Sequence, residues 1–173
     1  QENVFVDLND DGIINQDDLS KSKSAVPEIF MGFTSNFSYK KWSAGFVLRS
    51  NLGNYVYNNI YSNNGNLSQI TGNAVLYNAS SSYLDTRFTG SGNNLLSDYF
   101  IQDASFIRMD NLTFGFNAGA IFNKNANLQL NAGLQNVFVI TKYTGLDPEI
   151  NEGVDNNLYP RPRIITLGAS LLF

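Results

Sequence analysis

Near the start of the chain, oxygen-bearing residues recur at a spacing suited to a hard cation. Residues 7–18 read Asp-Leu-Asn-Asp-Asp-Gly-Ile-Ile-Asn-Gln-Asp-Asp and fit the loop pattern D-x-[DN]-x-[DN]-G. Asp7, Asn9 and Asp11 place side-chain oxygens at every second residue, Ile13 offers a backbone carbonyl, Asn15 takes the ninth position and Asp18 the last. Gly12 allows the sharp turn such a loop needs. Calcium is the cation expected, as a structural cofactor that stiffens a loop rather than as a catalyst. Asp18 stands where Glu is usual, so its shorter reach lowers the expected affinity. Without metal, the same residues would form a loop of Asx turns.

Little else in the chain has the makings of catalysis. The 173 residues contain no His and no Cys, which excludes Ser–His–Asp triads, thiol nucleophiles, thiolate zinc sites and disulfides. Asp147 and Glu149 form a possible acid pair for glycoside hydrolysis, but they flank Pro148 in a loop with no apolar pocket implied. The expectation is that they are solvated and that the protein is not an enzyme. Arg161 and Arg163, beside two prolines, are expected to lead into a last strand and pair with nearby acids. Tyr55, Tyr57, Tyr61, Tyr77, Tyr83 and Tyr99 sit in or beside a long Asn/Ser/Gly-rich stretch. They suit sugar stacking, but are read first as packing that stretch together.

The elements that must hold these groups are strands. Only 15% of residues are charged, against about a quarter in ordinary globular chains. Asn, at 25, is the commonest residue, and 43% of the chain is hydrophobic. Apolar and uncharged polar residues alternate from Ile29 to Tyr39 and again from Trp42 to Leu52, across Lys40-Lys41. A third strand is expected over about 105–117, with Leu112, Phe114 and Phe116 on its apolar side. A fourth is expected over about 126–139, with Leu128, Leu130, Ala132 and Leu134, and a fifth carries Ile165, Leu167, Ala169, Leu171 and Phe173. Arg108 and Asp110 belong on an aqueous or protein-covered surface, because Arg facing lipid at midplane costs about 2–4 kcal/mol.

There is no apolar run long enough for a transmembrane helix. Membrane strands need only about 10 residues that are apolar at every second position. The connections also alternate in length: 40–41 and 118–125 are short, while 52–103 and 140–163 are long. That is the pattern of an outer-membrane barrel, with short turns on the periplasmic side and long loops outside. Tyr39, Trp42, Phe116, Phe122 and Phe173 all fall at the short-turn end, where an aromatic girdle belongs. Five strands cannot close a barrel, and open edges are not tolerated in lipid. The chain is therefore expected to be a C-terminal piece of something much larger. A pI near 4.6 argues against nucleic acid as a partner.

Four segments resemble one family. Residues 102–116 (QDASFIRMDNLTFGF), 135–149 (QNVFVITKYTGLDPE), 159–168 (YPRPRIITLG) and the loop 7–18 are similar, in order and spacing, to the SusC/RagA-type TonB-dependent outer-membrane transporters of Bacteroidetes. Asp10, in place of a family Gly, and Met109-Asp110, in place of Leu-Lys, are the small departures. The resemblance implies an all-β fold: the last five antiparallel strands of a transmembrane barrel of about 22 strands, with long external loops. Residues 1–27 would be an external loop with the EF-hand-like site, and 28–173 the barrel strands. It further implies import of large nutrients, glycans or peptides, across the outer membrane. The partners it implies are the rest of the barrel and its plug, a SusD-like lipoprotein lid, the TonB complex and outer-membrane lipid. A soluble calcium-binding extracellular β-domain or adhesin is the alternative, and would explain the metal loop but not the terminal aromatic strand.

Overall fold

The computed structural model describes residues 5–21, 23–65, 80–87, 97–121, 126–156 and 159–173. The chain divides into two compact units. One comprises Pro27–Asn54, Ala104–Pro148 and Tyr159–Phe173, and the other Gln1–Val26, Tyr55–Asp103 and Glu149–Leu158.

The first unit is an antiparallel sheet of five strands: β1 (Ile29–Tyr39), β2 (Trp42–Leu52), β5 (Phe106–Ile121), β6 (Ala126–Thr141) and β7 (Ile164–Leu172), in that spatial order. β1 and β2 have the bounds that alternation gives. β5 runs beyond the expected 117 to Ile121, and β6 runs to Thr141. The tight turn between β1 and β2 is made by Lys40 at φ 54°, with Tyr39 paired to Trp42.

Residues directly opposite each other in the register share a face, so the pairing sorts the sheet into rows. On one face, Phe37, Ala44, Phe114, Ala132 and Leu167 form a continuous row, alternating large and small as far as Ala132. The next row toward the short-turn end is Tyr39, Trp42, Phe116, Leu130 and Ala169, with the Trp42 and Phe116 rings 4.4 Å apart. On the other face the rows are Asn36–Gly45–Thr113–Gly133–Thr166 and Ser38–Ser43–Gly115–Asn131–Gly168. Glycines here stand against polar side chains: a Cβ on Gly45 would meet Thr113 Oγ1 at 3.1 Å, and one on Gly168 would meet Asn131 Nδ2 at 3.1 Å.

Two bulges alter the alternation of β5. Between β2 and β5 the register steps from Val47↔Asn111 to Leu48↔Met109, leaving Asp110 as the extra residue. Below the bulge the even residues Leu112, Phe114 and Phe116 face the apolar side, whereas above it the odd residues Met109 and Ile107 do so. Arg108 therefore lies on the polar face, in register with Arg49 and Val139. The second register shift lies between Asn117 and Gly119, where Gly119 adopts φ 83° and its N–H donates to Asn117 Oδ1. The short connection is thus narrower than expected.

The second unit pairs two short strands, β3 (Tyr55–Tyr57) and β4 (Ile101–Asp103), with helices α1 (Asn59–Asn64) and α2 (Ser82–Thr86) nearby in sequence. Val56 and Phe100 are buried in it. Asn58 caps α1, its side chain accepting from the Tyr61 N–H at 3.0 Å. The stretch expected only as a long loop thus contains local structure of its own.

Candidate functional site: two faces of a membrane wall and a buried ionic cluster

The apolar face is unlike the outside of a soluble sheet. Phe33, Phe37, Tyr39, Trp42, Phe114, Leu130, Ile165 and Leu167 are all exposed, Leu167 at 80%. The named rows of that face carry no charge, and their aromatic members gather at the short-turn end. Tyr39, Trp42 and Phe116 occupy one row, as a girdle requires. Phe173 follows the end of β7 and is fully exposed. Phe122, the remaining expected girdle residue, lies outside the described residues.

The opposite face is neutral and polar in its lower rows and ionic near the long-loop end. There Arg108 is 2% exposed, and its Nη2 donates to Asp147 Oδ1 at 2.6 Å. Arg108 Nη1 donates to Asn136 Oδ1 at 3.0 Å. The second oxygen of Asp147 lies 3.3 Å from Arg161 Nε. Asn136, in the left-handed region at φ 52°, donates through Nδ2 to the Arg161 carbonyl at 2.8 Å. Beside this cluster, Arg49 holds Asp110 through Nε and through Nη2 at 3.1 Å.

This arrangement corrects one expectation. Asp147 is not solvated: two arginines occupy its two oxygens and it is buried. A carboxylate held in this way is a structural anion. Arg161 pairs with an acid, as expected, and Arg108 and Asp110 both avoid the apolar face. Residue types alone did not reveal the cluster, although a signal was present. Apolar residues fall on odd positions at 107 and 109 and on even positions from 112 to 116. That phase change requires an inserted residue between them, which carries Arg108 to the polar side.

The Tyr57 ring meets Phe100 edge-on at 6.2 Å and its hydroxyl bonds Ser62, while Lys23 sits 4.7 Å over Tyr55. Tyr77 lies outside the described residues.

The loop 7–18 folds around its own side chains. Asp7 accepts from the N–H groups of Asp11 and Gly12, and Asn9 from Asp11. Asp11 accepts from Ile13, and Asn15 from Asp17. Asp18 accepts from Leu8 and Asn15, each at 2.8 Å, and these bonds, led by Asn15, hold its carboxyl below the ordinary value of 3.8. Gly12, at φ 80°, makes the turn. Among the described residues, no three acidic side chains gather closely enough to hold a metal ion. The donor set, side-chain oxygens of Asp7, Asn9, Asp11, Asn15 and Asp18 with the Ile13 carbonyl, is still of the chemistry a hard cation takes.

Relatives decide what wall this is. The chain is 39% identical, over 99% of its length, to the TonB-dependent receptor SusC of Bacteroides thetaiotaomicron. This chain belongs with the SusC/RagA-type TonB-dependent outer-membrane barrels. It is also 26% identical, over 98% of its length, to TonB-dependent receptor P3 of Formosa agariphila. No family model matches it. A solved RagAB peptide transporter superposes on 92% of the chain with a TM-score of 0.74 at 22% identity, and a RagAB peptide importer in a closed-closed state on 93% with 0.69. At that identity the likeness establishes the fold, a partial outer-membrane β-barrel. The chain spans about a fifth of these proteins, 18% of SusC and 19% of P3. The SusC-type segment thus faces lipid with its aromatic rows and the barrel interior with its Asn, Thr, Ser and Gly rows. The relatives are receptors and importers, not enzymes.

Proposed function

We propose that the whole protein imports a large nutrient, a glycan or a peptide, across the outer membrane, driven through TonB and covered by a SusD-like surface lipoprotein. The observation that carries this reading is the 39% identity along essentially the whole chain to SusC, on a sheet whose two faces differ as a lipid-facing wall and a wet interior must. A tagged full-length barrel, extracted in mild detergent, should co-purify with a lipoprotein. Deleting the gene should abolish growth on one class of large nutrient while sparing its monomers. Unchanged growth on every glycan and peptide tried would overturn the import role.

We also infer that loop 7–18 takes up calcium as a stiffener, through Asp7, Asn9, Asp11, Ile13, Asn15 and Asp18. Its support is the donor set and the Gly12 turn. Elemental analysis of the purified protein should show calcium lost in the Asp7→Ala/Asp11→Ala double variant with the barrel still assembled. Equal metal content in both proteins would refute the site.

A further inference from the structure

The crossing from β6 to β7 leaves the sheet at Thr141 and returns at Ile164. Both of its ends, 142–148 and 159–163, are tied to one point on the polar face. The first end is tied through Asp147 to Arg108. The second is tied through Arg161 to Asp147 and through its backbone to Asn136, whose amide reaches the Arg161 carbonyl. We propose that Arg108, Asn136, Asp147 and Arg161 form a permanent clasp that fixes the two ends of this crossing, 142–148 and 159–163, to the polar face of the sheet. Asp147 and Arg108 are its positioning residues.

Three observations converge on it. First, the wall is shaped to present the clasp: the Asp110 bulge carries Arg108 to the polar face, and the left-handed Asn136 turns its amide toward both Arg108 and the Arg161 carbonyl. Second, the first end is folded on itself. Tyr143 is buried, its N–H bonds Thr141 Oγ1 at 3.1 Å, and its ring lies so close to Gly145 that a Cβ there would meet the Tyr143 Cζ at 2.6 Å. Third, prolines 148, 160 and 162 fix φ along both ends, and Pro148 is fully buried. A buried ion pair contributes little net stability but fixes place, because any other arrangement leaves a charge without its partner. One guanidinium serving a carboxylate and an amide together is a geometry Lys does not reproduce.

The test is amide exchange on the intact transporter in detergent, read separately for 142–148, 159–163 and the β1–β2 hairpin. Asp147→Asn keeps the shape and removes the charge. It should raise exchange in both ends by about tenfold or more, with the hairpin unchanged. Arg161→Gln, a milder change at a half-exposed side chain, should raise it by roughly threefold, and it decides the matter if Asp147→Asn does not assemble. Arg108→Lys should fall between the two. Wild-type protection should change by less than about twofold between about 0.05 and 0.5 M salt, since buried pairs are poorly screened. Exchange within about twofold of wild type in both Asp147→Asn and Arg161→Gln would overturn the clasp. So would an equal rise in the exposed control Lys142→Gln. The readout needs only an assembled barrel, so it stands or falls apart from the import reading.

Discussion

The sharpest test of the facing assignment is a series of arginines down β7. Thr166 points to the polar face and Ile165, Leu167 and Leu171 to the apolar one, where their exposures are 71%, 80% and 46%. The girdle row of Tyr39, Trp42 and Phe116 reaches β7 at Ala169, so Leu167 is one row and Ile165 two rows toward the midplane. One row is two residues, about 6.7 Å along the strand, or about 5 Å along the membrane normal at a tilt of about 40°. The girdle bounds an apolar band about 25 Å tall, so it lies about 12 Å from midplane, Leu167 about 7 Å and Ile165 about 2 Å. Arginine costs about 2–4 kcal/mol at midplane and about 0–1 near the interface. Ile165→Arg should therefore cost about 3 kcal/mol, Leu167→Arg about 2 and Leu171→Arg less than about 1, with Thr166→Arg near zero. Guanidinium titration of the transporter in lipid vesicles, followed by heat-modifiable gel mobility, measures all four. A Thr166→Arg cost equal to that of Ile165→Arg, or no gradient with depth, would refute the assignment.

Three further outcomes are expected. Asp110→Asn should cost less than about 1 kcal/mol in the same titration, because both members of the Arg49–Asp110 pair are more than a quarter exposed and partly screened. Lys40→Val should lose about 1–2 kcal/mol, since a β-branched residue resists the left-handed φ of 54° in that turn, while Lys40→Gly should be near neutral. The Asp18 carboxyl is depressed below 3.8 by its bonds from Asn15 and Leu8. Its contribution to loop order is thus fully present above that value and lost as pH falls through the depressed one. Carboxyl-carbon NMR of Asp-labelled protein should show Asp18 titrating below 3.8, and titration at or above 3.8 would contradict the bonding.

Much of this fold is legible in residue order because a strand has a period of two and a membrane wall has two unlike solvents. That is why Ile29–Tyr39 and Trp42–Leu52 can be delimited to the residue. What escapes is whatever breaks the period. The Asp110 bulge and the second register shift near Gly119 each insert one residue, and both show in the sequence only as a change of phase that must be counted across the break. The ionic cluster escapes for another reason. Arg108 and Asn136 come from two strands, Asp147 and Arg161 from opposite ends of the crossing between β6 and β7, and no local spacing announces that Asp147 turns inward. The cation loop is the reverse case, fully spelled out locally, with its Asx turns following from Asp and Asn at alternate positions.

The two lower polar rows have an electrostatic consequence. Asn36, Gly45, Thr113, Gly133 and Thr166, then Ser38, Ser43, Gly115, Asn131 and Gly168, present dipoles and no fixed charge. A surface with no fixed charge sets up almost no local potential, so it neither attracts counterions nor repels cargo of either sign. Its glycines give up their side-chain space to neighbouring polar groups: Asn36 and Thr113 at Gly45, Ser43 at Gly115 and Asn131 at Gly168. Under the import function proposed above, these two rows would therefore impose no selection by cargo charge, whereas the arginine-bearing level above them carries fixed charge.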